Sequence, residues 1–142
     1  MNNSTWSDQA VAYAILRFTI GVNMLMHGVA RVGSAYHTFA DGMVKSFEAT
    51  FLPAWFVRAF AYMVVPVELG IGILLILGLR TRMAALMGGL LMSAFTFGQC
   101  LQQNWRAAGS ILVYALVFFV VLFLQSHNLI AVDHLLSKKS NQ

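Results

Sequence analysis

The chain has 142 residues, 59% of them hydrophobic and 10% charged, with a formal net charge of +4 and a mean hydropathy of +0.73. Soluble domains carry roughly 25% charged residues, so a chain this poor in charge is excluded from water as an ordinary domain and belongs in lipid. A pI near 9.6 does not signal nucleic acid, because the basic residues stand singly or in pairs at the ends of apolar stretches and form no stripe.

The segment Met1 to Asp8 is polar and has no Lys or Arg. The apolar run after it is too long for a signal-peptide core and no small-residue cleavage site follows, so it is expected to stay as a membrane helix. Four stretches approach the roughly 20 residues that a spanning helix needs. They run over about 10–32, 55–79, 83–101 and 108–124. Backbone groups in lipid must bond within their own segment, which makes all four helical. Arg80-Thr81-Arg82 joins the second to the third, and Gln102 to Arg106 joins the third to the fourth. Such short joints force antiparallel neighbours. The expectation is one all-α domain over residues 1–142, an integral membrane four-helix bundle.

Between Gly33 and Pro53 the pattern changes. Ala40, Met43, Val44, Phe47 and Phe51 recur at spacings of three and four, with Asp41, Lys45 and Glu48 between them. That periodicity predicts an amphipathic interfacial helix in the first loop, either anchored on the surface by its aromatics or serving as a lid. Orientation is weakly written. Arg80, Arg82, Lys138 and Lys139 fall on one side, and Arg31, Lys45, Arg58 and Arg106 on the other. The compact Arg80/Arg82 pair and the Lys138/Lys139 tail favour cytoplasmic N- and C-termini. Trp55 and Trp105 then both lie at the outer interface.

Small residues mark packing faces: Gly21 and Gly28 in the first helix, Gly70 and Gly78 in the second, and the pairs Ala84/Gly88 and Ala85/Gly89 in the third. Against that background the polar residues stand out, because an ionisable group in mid-membrane costs at least about 2.5 kcal/mol on insertion scales. Arg17, Gly21, Met24, Gly28 and Arg31 fall within about 40° of one line on the first helix, with His27 at its edge. Glu68, two residues after Pro66, lies about midway along the second helix. Arg17 and Glu68 are expected to form a buried pair. Structurally such a pair fixes helix register; functionally it is the polar end of a membrane-embedded site. A quinone head needs hydrogen-bond donors to its oxygens and a route for protons. Arg17 would donate, Glu68 would carry protons, His27 would do either, and Met and Phe side chains would hold the ring and tail.

The remaining polar residues point less sharply. His37, His127 and His134 fall in loops or at helix ends, and no two histidines stand three or four apart inside a helix, so no metal site is expected, with His27 as a lone haem ligand the one alternative left open. Gln99, Gln102, Gln103 and Asn104 read as the polar cap of the third helix or as the mouth of a site. Cys100 is the only cysteine. Dithiol chemistry and a cysteine-rich metal centre are therefore excluded within one chain, and Cys100 reads as a small buried apolar residue. No flavin fingerprint is present.

Arg17 to Gly21 followed by His27-Gly28-Val29-Ala30-Arg31 resembles the first helix of the DoxX family. Pro66-Val67-Glu68-Leu69-Gly70 running to Leu77-Gly78-Leu79-Arg80-Thr81-Arg82 resembles that family's most recognisable stretch. Phe39 to Pro53 is similar to its long first loop, and Val132-Asp133-His134-Leu135-Leu136 to its usual ending. Arg31 stands where a lysine is more usual, which keeps the charge and changes the geometry. The resemblance implies a four-helix protein of a bacterial inner membrane, in a family that includes a subunit of thiosulfate:quinone oxidoreductase and members tied to oxidative or thiol stress. It carries over Arg17, Gly21, Gly28 and Glu68 as site positions. The leading expectation is a quinone-interacting membrane subunit of a redox system, in which a protein partner supplies the electrons. The alternatives are a non-enzymatic scaffold or assembly factor, and a small-molecule transporter acting as a homo-oligomer.

Overall fold

Hydropathy calls for four long helices, and four form that are long and apolar enough to cross a membrane. The structure is a computed structural model that describes residues 6–140, without the side chains from 137 onward. The start of the polar leader, and the Lys138 and Lys139 side chains used in the orientation argument, lie outside the described residues. The chain runs through α1 (Asp8–Val29), α2 (Ser34–Ser46), α3 (Ala54–Leu77), α4 (Thr81–Leu101), α5 (Trp105–Phe123), a 3-10 turn (Gln125–His127) and α6 (Val132–Ser140). Among the described residues there is no strand.

Each boundary has a local cause. The Ser7 hydroxyl accepts from Ala10 N–H at 3.2 Å and caps α1. α1 closes at Val29, three residues earlier than its hydropathy suggests, and the turn through Gly33, at φ 76°, feeds α2. Arg31 therefore stands on the turn beyond the helix end. Gly78 ends α3 in the left-handed conformation at φ 67°. Asn104 caps α5 by accepting from Ala107 N–H at 3.3 Å.

Pro66 sits inside α3. It has no N–H to give to the carbonyl of Tyr62, one turn back. The Tyr36 hydroxyl of α2 donates to that carbonyl at 2.6 Å instead. His37 meets the Tyr62 hydroxyl at 3.0 Å, and Arg58 donates to Asp41 at 2.5 Å. So a helix forms in the first loop but ends at Ser46, short of Phe47 and Phe51, and α2 docks on α3 through polar contacts.

The bundle is built from two tight pairs, α1 with α3 and α4 with α5. Glycine makes the first possible. A Cβ on Gly21 would lie 3.0 Å from the Ile76 backbone nitrogen, and one on Gly28 would strike Leu69 at 2.7 Å. From α3, a Cβ on Gly72 would come within 2.5 Å of the Leu25 backbone nitrogen. Gly70, expected to serve that role, faces open space, and Gly78 is the cap. The Phe118 ring fills the notch at Gly88 in the second pair. Between the pairs lies a core that includes Tyr13, Met24, Ile71, Leu75, Met92 and Phe118.

These contacts separate two substitutions that look alike on paper. Gly72→Ala forces a Cβ against the Leu25 backbone and is expected to destabilise the protein by about 1–3 kcal/mol, the usual cost of overpacking. Gly70→Ala meets nothing and is expected to be neutral or to gain up to about 1 kcal/mol from helix propensity. Thermal unfolding of the two variants in one detergent checks the contrast.

Candidate functional site

Two polar centres stand at different heights in the bundle. Arg17, on α1, is 4% exposed. Its guanidinium donates to the carbonyls of Leu75 and Ile76 in the last turn of α3, where carbonyls lack helical partners. Its other arm donates to Ile130 at 2.8 Å. The Asp133 carboxylate accepts from the backbone N–H groups of Arg80 at 2.7 Å and Thr81 at 2.9 Å, which are orphan donors at the start of α4. Asp133 N–H donates to Gly78 at 3.0 Å, and Asn128 donates to the buried Thr81 hydroxyl at 3.0 Å. Opposite charges thus meet the matching helix ends: a cation at the C-terminus of α3 and a carboxylate at the N-terminus of α4. This is a latch that binds the segment after α5 to the α3–α4 corner.

The expected Arg17–Glu68 pair does not form. The glycine contacts set α1 and α3 antiparallel with Arg17 beside Gly78, where a Cβ would lie 2.5 Å from the guanidinium. Glu68 is ten residues further back along α3, roughly 15 Å away at 1.5 Å per residue. The ion pair is made instead by Arg31 and Glu68. The Glu68 side chain is 4% exposed and that of Arg31 is 24% exposed. Phe39 of α2 closes over the pair, with its ring centroid 4.4 Å from the guanidinium carbon of Arg31, close enough for cation–π attraction.

A cavity of about 270 Å³ opens beside this pair. α1 contributes Asn23, Met24 and His27; Arg31, Phe39 and Met43 come from the turn and α2, and Glu68 from α3. α4 adds Met92, Phe95 and Gln99, and α5 adds Ile111 and Tyr114. The Asn23 Oδ1 and Gln99 Oε1 atoms are buried and have no hydrogen-bond partner. Buried polar atoms of this kind ordinarily find partners. Here the two residues that carry them, an ion pair and a histidine line one space walled by Met and aromatic side chains.

Of the residues singled out in the sequence, Met24, His27, Arg31 and Glu68 line this cavity, and Gln99 lines it as one of its two readings allowed. Arg17 belongs to the latch. Gly21 and Gly28 lie in the α1–α3 seam and act on the site only by setting its register. Asn23 was missed. A signal existed, since Asn23 and His27 stand four apart on α1 and so share a face. Met92, Phe95, Ile111 and Tyr114 carry no mark that separates them from ordinary core.

The family model that matches this chain is DoxX, over residues 12–98. The match takes in most of α1, all of α2 and α3 and most of α4, with Asn23, His27, Arg31 and Glu68 of the cavity but not Gln99 or Tyr114. The resemblance at Val132 to Leu136 lies beyond the matched residues. No curated protein and no solved structure matches the chain.

Proposed function

The chain belongs to the DoxX family, and from that premise we propose that it is a quinone-interacting subunit of a redox system in a bacterial inner membrane. Its termini face the cytoplasm, and a protein partner supplies the electrons. The single observation that carries the reading is one cavity lined by Asn23 and Gln99, whose amide oxygens are buried without a partner, together with a buried carboxylate, an arginine and a histidine.

The donor set fits a quinone head. An amide has an acceptor oxygen and two N–H donors, and turning it over exchanges them. Asn23 and Gln99 can therefore donate to the carbonyl oxygens of a quinone and accept from the hydroxyls of its reduced form. Quinone supplies the redox chemistry when bound, taking up two electrons and two protons as its carbonyls become hydroxyls. Arg31 pairs with Glu68 at the cavity wall. Glu68 and His27 are the groups that hold and pass protons. Met24, Met92 and Phe95 form the apolar walls that exclude water from the ring.

Mass spectrometry of a lipid extract from gently purified protein tests this reading. Near-stoichiometric quinone per chain is expected. Asn23→Leu removes a buried unpartnered polar atom at similar volume, so the fold should be unharmed while the quinone is lost. Quinone no more abundant than in the surrounding lipid would sink the proposal and favour a scaffold that holds partners without chemistry.

A further inference from the structure

A second cavity adjoins the first. It has a volume of about 160 Å³ and lies among α2, α3 and α4. Met43, Phe95 and Gln99 line both cavities and form the partition between them. Beyond the partition the lining is almost wholly apolar and rich in phenylalanine, including Phe47, Phe56, Phe60 and Phe97. Phe60 and Phe95 meet edge to face at 6.0 Å. Phe56 and Phe97 are 45% and 56% exposed, so this chamber opens sideways onto the apolar flank of the bundle. Gly98 gives the Phe47 ring its place at the rim, where a Cβ would lie 2.9 Å from it.

We propose that this chamber takes the apolar tail of the ligand whose head lies in the polar cavity, so that the substrate class is long-tailed quinones entering from the bilayer. The inference rests on the quinone reading of the polar cavity and adds a route and a ligand shape to it. Its argument is continuity: a polar cavity and an apolar one share three side chains, one a flexible methionine that can move aside. The chamber does not draw a tail out of lipid, because lipid is as apolar as phenylalanine. What it provides is a shaped exit that lets the head reach Asn23, Glu68 and Gln99 while the tail remains in apolar surroundings.

The test uses the full chain in vesicles with a decyl-tailed benzoquinone that carries a diazirine at the tail end. After photolysis, labelled peptides are mapped with and without excess tail-less benzoquinone. The expected result is label on residues 43–60 and 94–99 that the tail-less compound suppresses. Label on those residues that the tail-less compound does not suppress would mean a groove for bulk lipid chains and would overturn the inference. Suppressible label centred elsewhere, for instance on α5, would overturn it while leaving the head site standing. No suppressible label anywhere would remove the quinone reading itself. Ala94→Phe fills the chamber from α4 and gives an independent measure. It is expected to weaken binding of the tailed compound about tenfold or more and leave the tail-less compound bound as before. Equal retention of both would overturn the tail assignment.

Discussion

Arg17→Met is expected to destabilise the protein by about 2–4 kcal/mol, because it removes a charged donor to backbone carbonyls. Arg17 donates to three carbonyls on two segments, Leu75 and Ile76 at the end of α3 and Ile130 after α5. Leu75 still accepts from Gly78 N–H at 3.3 Å, but the Ile76 and Ile130 carbonyls lose their donor at about 1–3 kcal/mol each, and methionine supplies no replacement. Arg17→Lys keeps the charge at the α3 terminus but lacks the planar fork that reaches two segments at once. Its loss should therefore be smaller. Asp133→Ala strips the Arg80 and Thr81 N–H groups of their acceptor from the other side of the same corner. The two substitutions should combine with less than additive cost, because once either frees the segment after α5 the other has less to hold. Detergent melts of the single and double variants check this. The quinone assay adds a readout that stability alone does not move. If the proposed quinone site stands, Arg17→Lys protein that remains folded should bind quinone as the wild type does, because the latch lies roughly 15 Å from Glu68. Loss of quinone from a fully folded Arg17→Lys protein would put Arg17 back into the site.

The sequence made the four long helices legible because lipid leaves so few options: a long apolar run must be helical and must span. It made α2 legible because three-and-four spacing survives in a mixed segment. What it could not give is the slide of α1 against α3. The connection between them holds α2 and its flanking turns, far too long to fix register as the Arg80 joint does for α3 and α4. Register is set instead by how closely Gly21, Gly28 and Gly72 let two backbones approach. A shift of two to three turns decides whether Arg17 or Arg31 meets Glu68. Both arginines fall on the same line of the longer helix that hydropathy predicts, so helical geometry alone does not distinguish them. Asn23 was overlooked for a different reason. A neutral amide inside a helix carries no charge to mark it, and Asn23 stands out only by an oxygen buried without a partner. Pro66 lies between these cases. The missing N–H is plain in the sequence, but only the fold shows that Tyr36 takes up the freed carbonyl.

The Arg31–Glu68 pair offers the sharpest division between a structural role and a ligand-binding one. Arg31→Met leaves a carboxylate that is 4% exposed without its counter-charge, and the expected loss is about 3–5 kcal/mol. Adding Glu68→Met removes the stranded charge and fills the space with apolar atoms. Replacing both members of a buried pair by apolar residues is often neutral or stabilising, so the double variant should regain most of what the single one loses. If the pair serves only to hold α1 and α2 against α3, the rescued protein should behave as the wild type in every assay. If it lines a quinone site, the rescued protein should melt like the wild type and carry no quinone, because a methionine neither donates to an oxygen nor holds a proton. The thermal melt and the quinone content of one double variant therefore answer separate questions. A stable, quinone-loaded Arg31→Met/Glu68→Met protein would remove the ion pair from the site and leave Asn23, His27 and Gln99 to carry it.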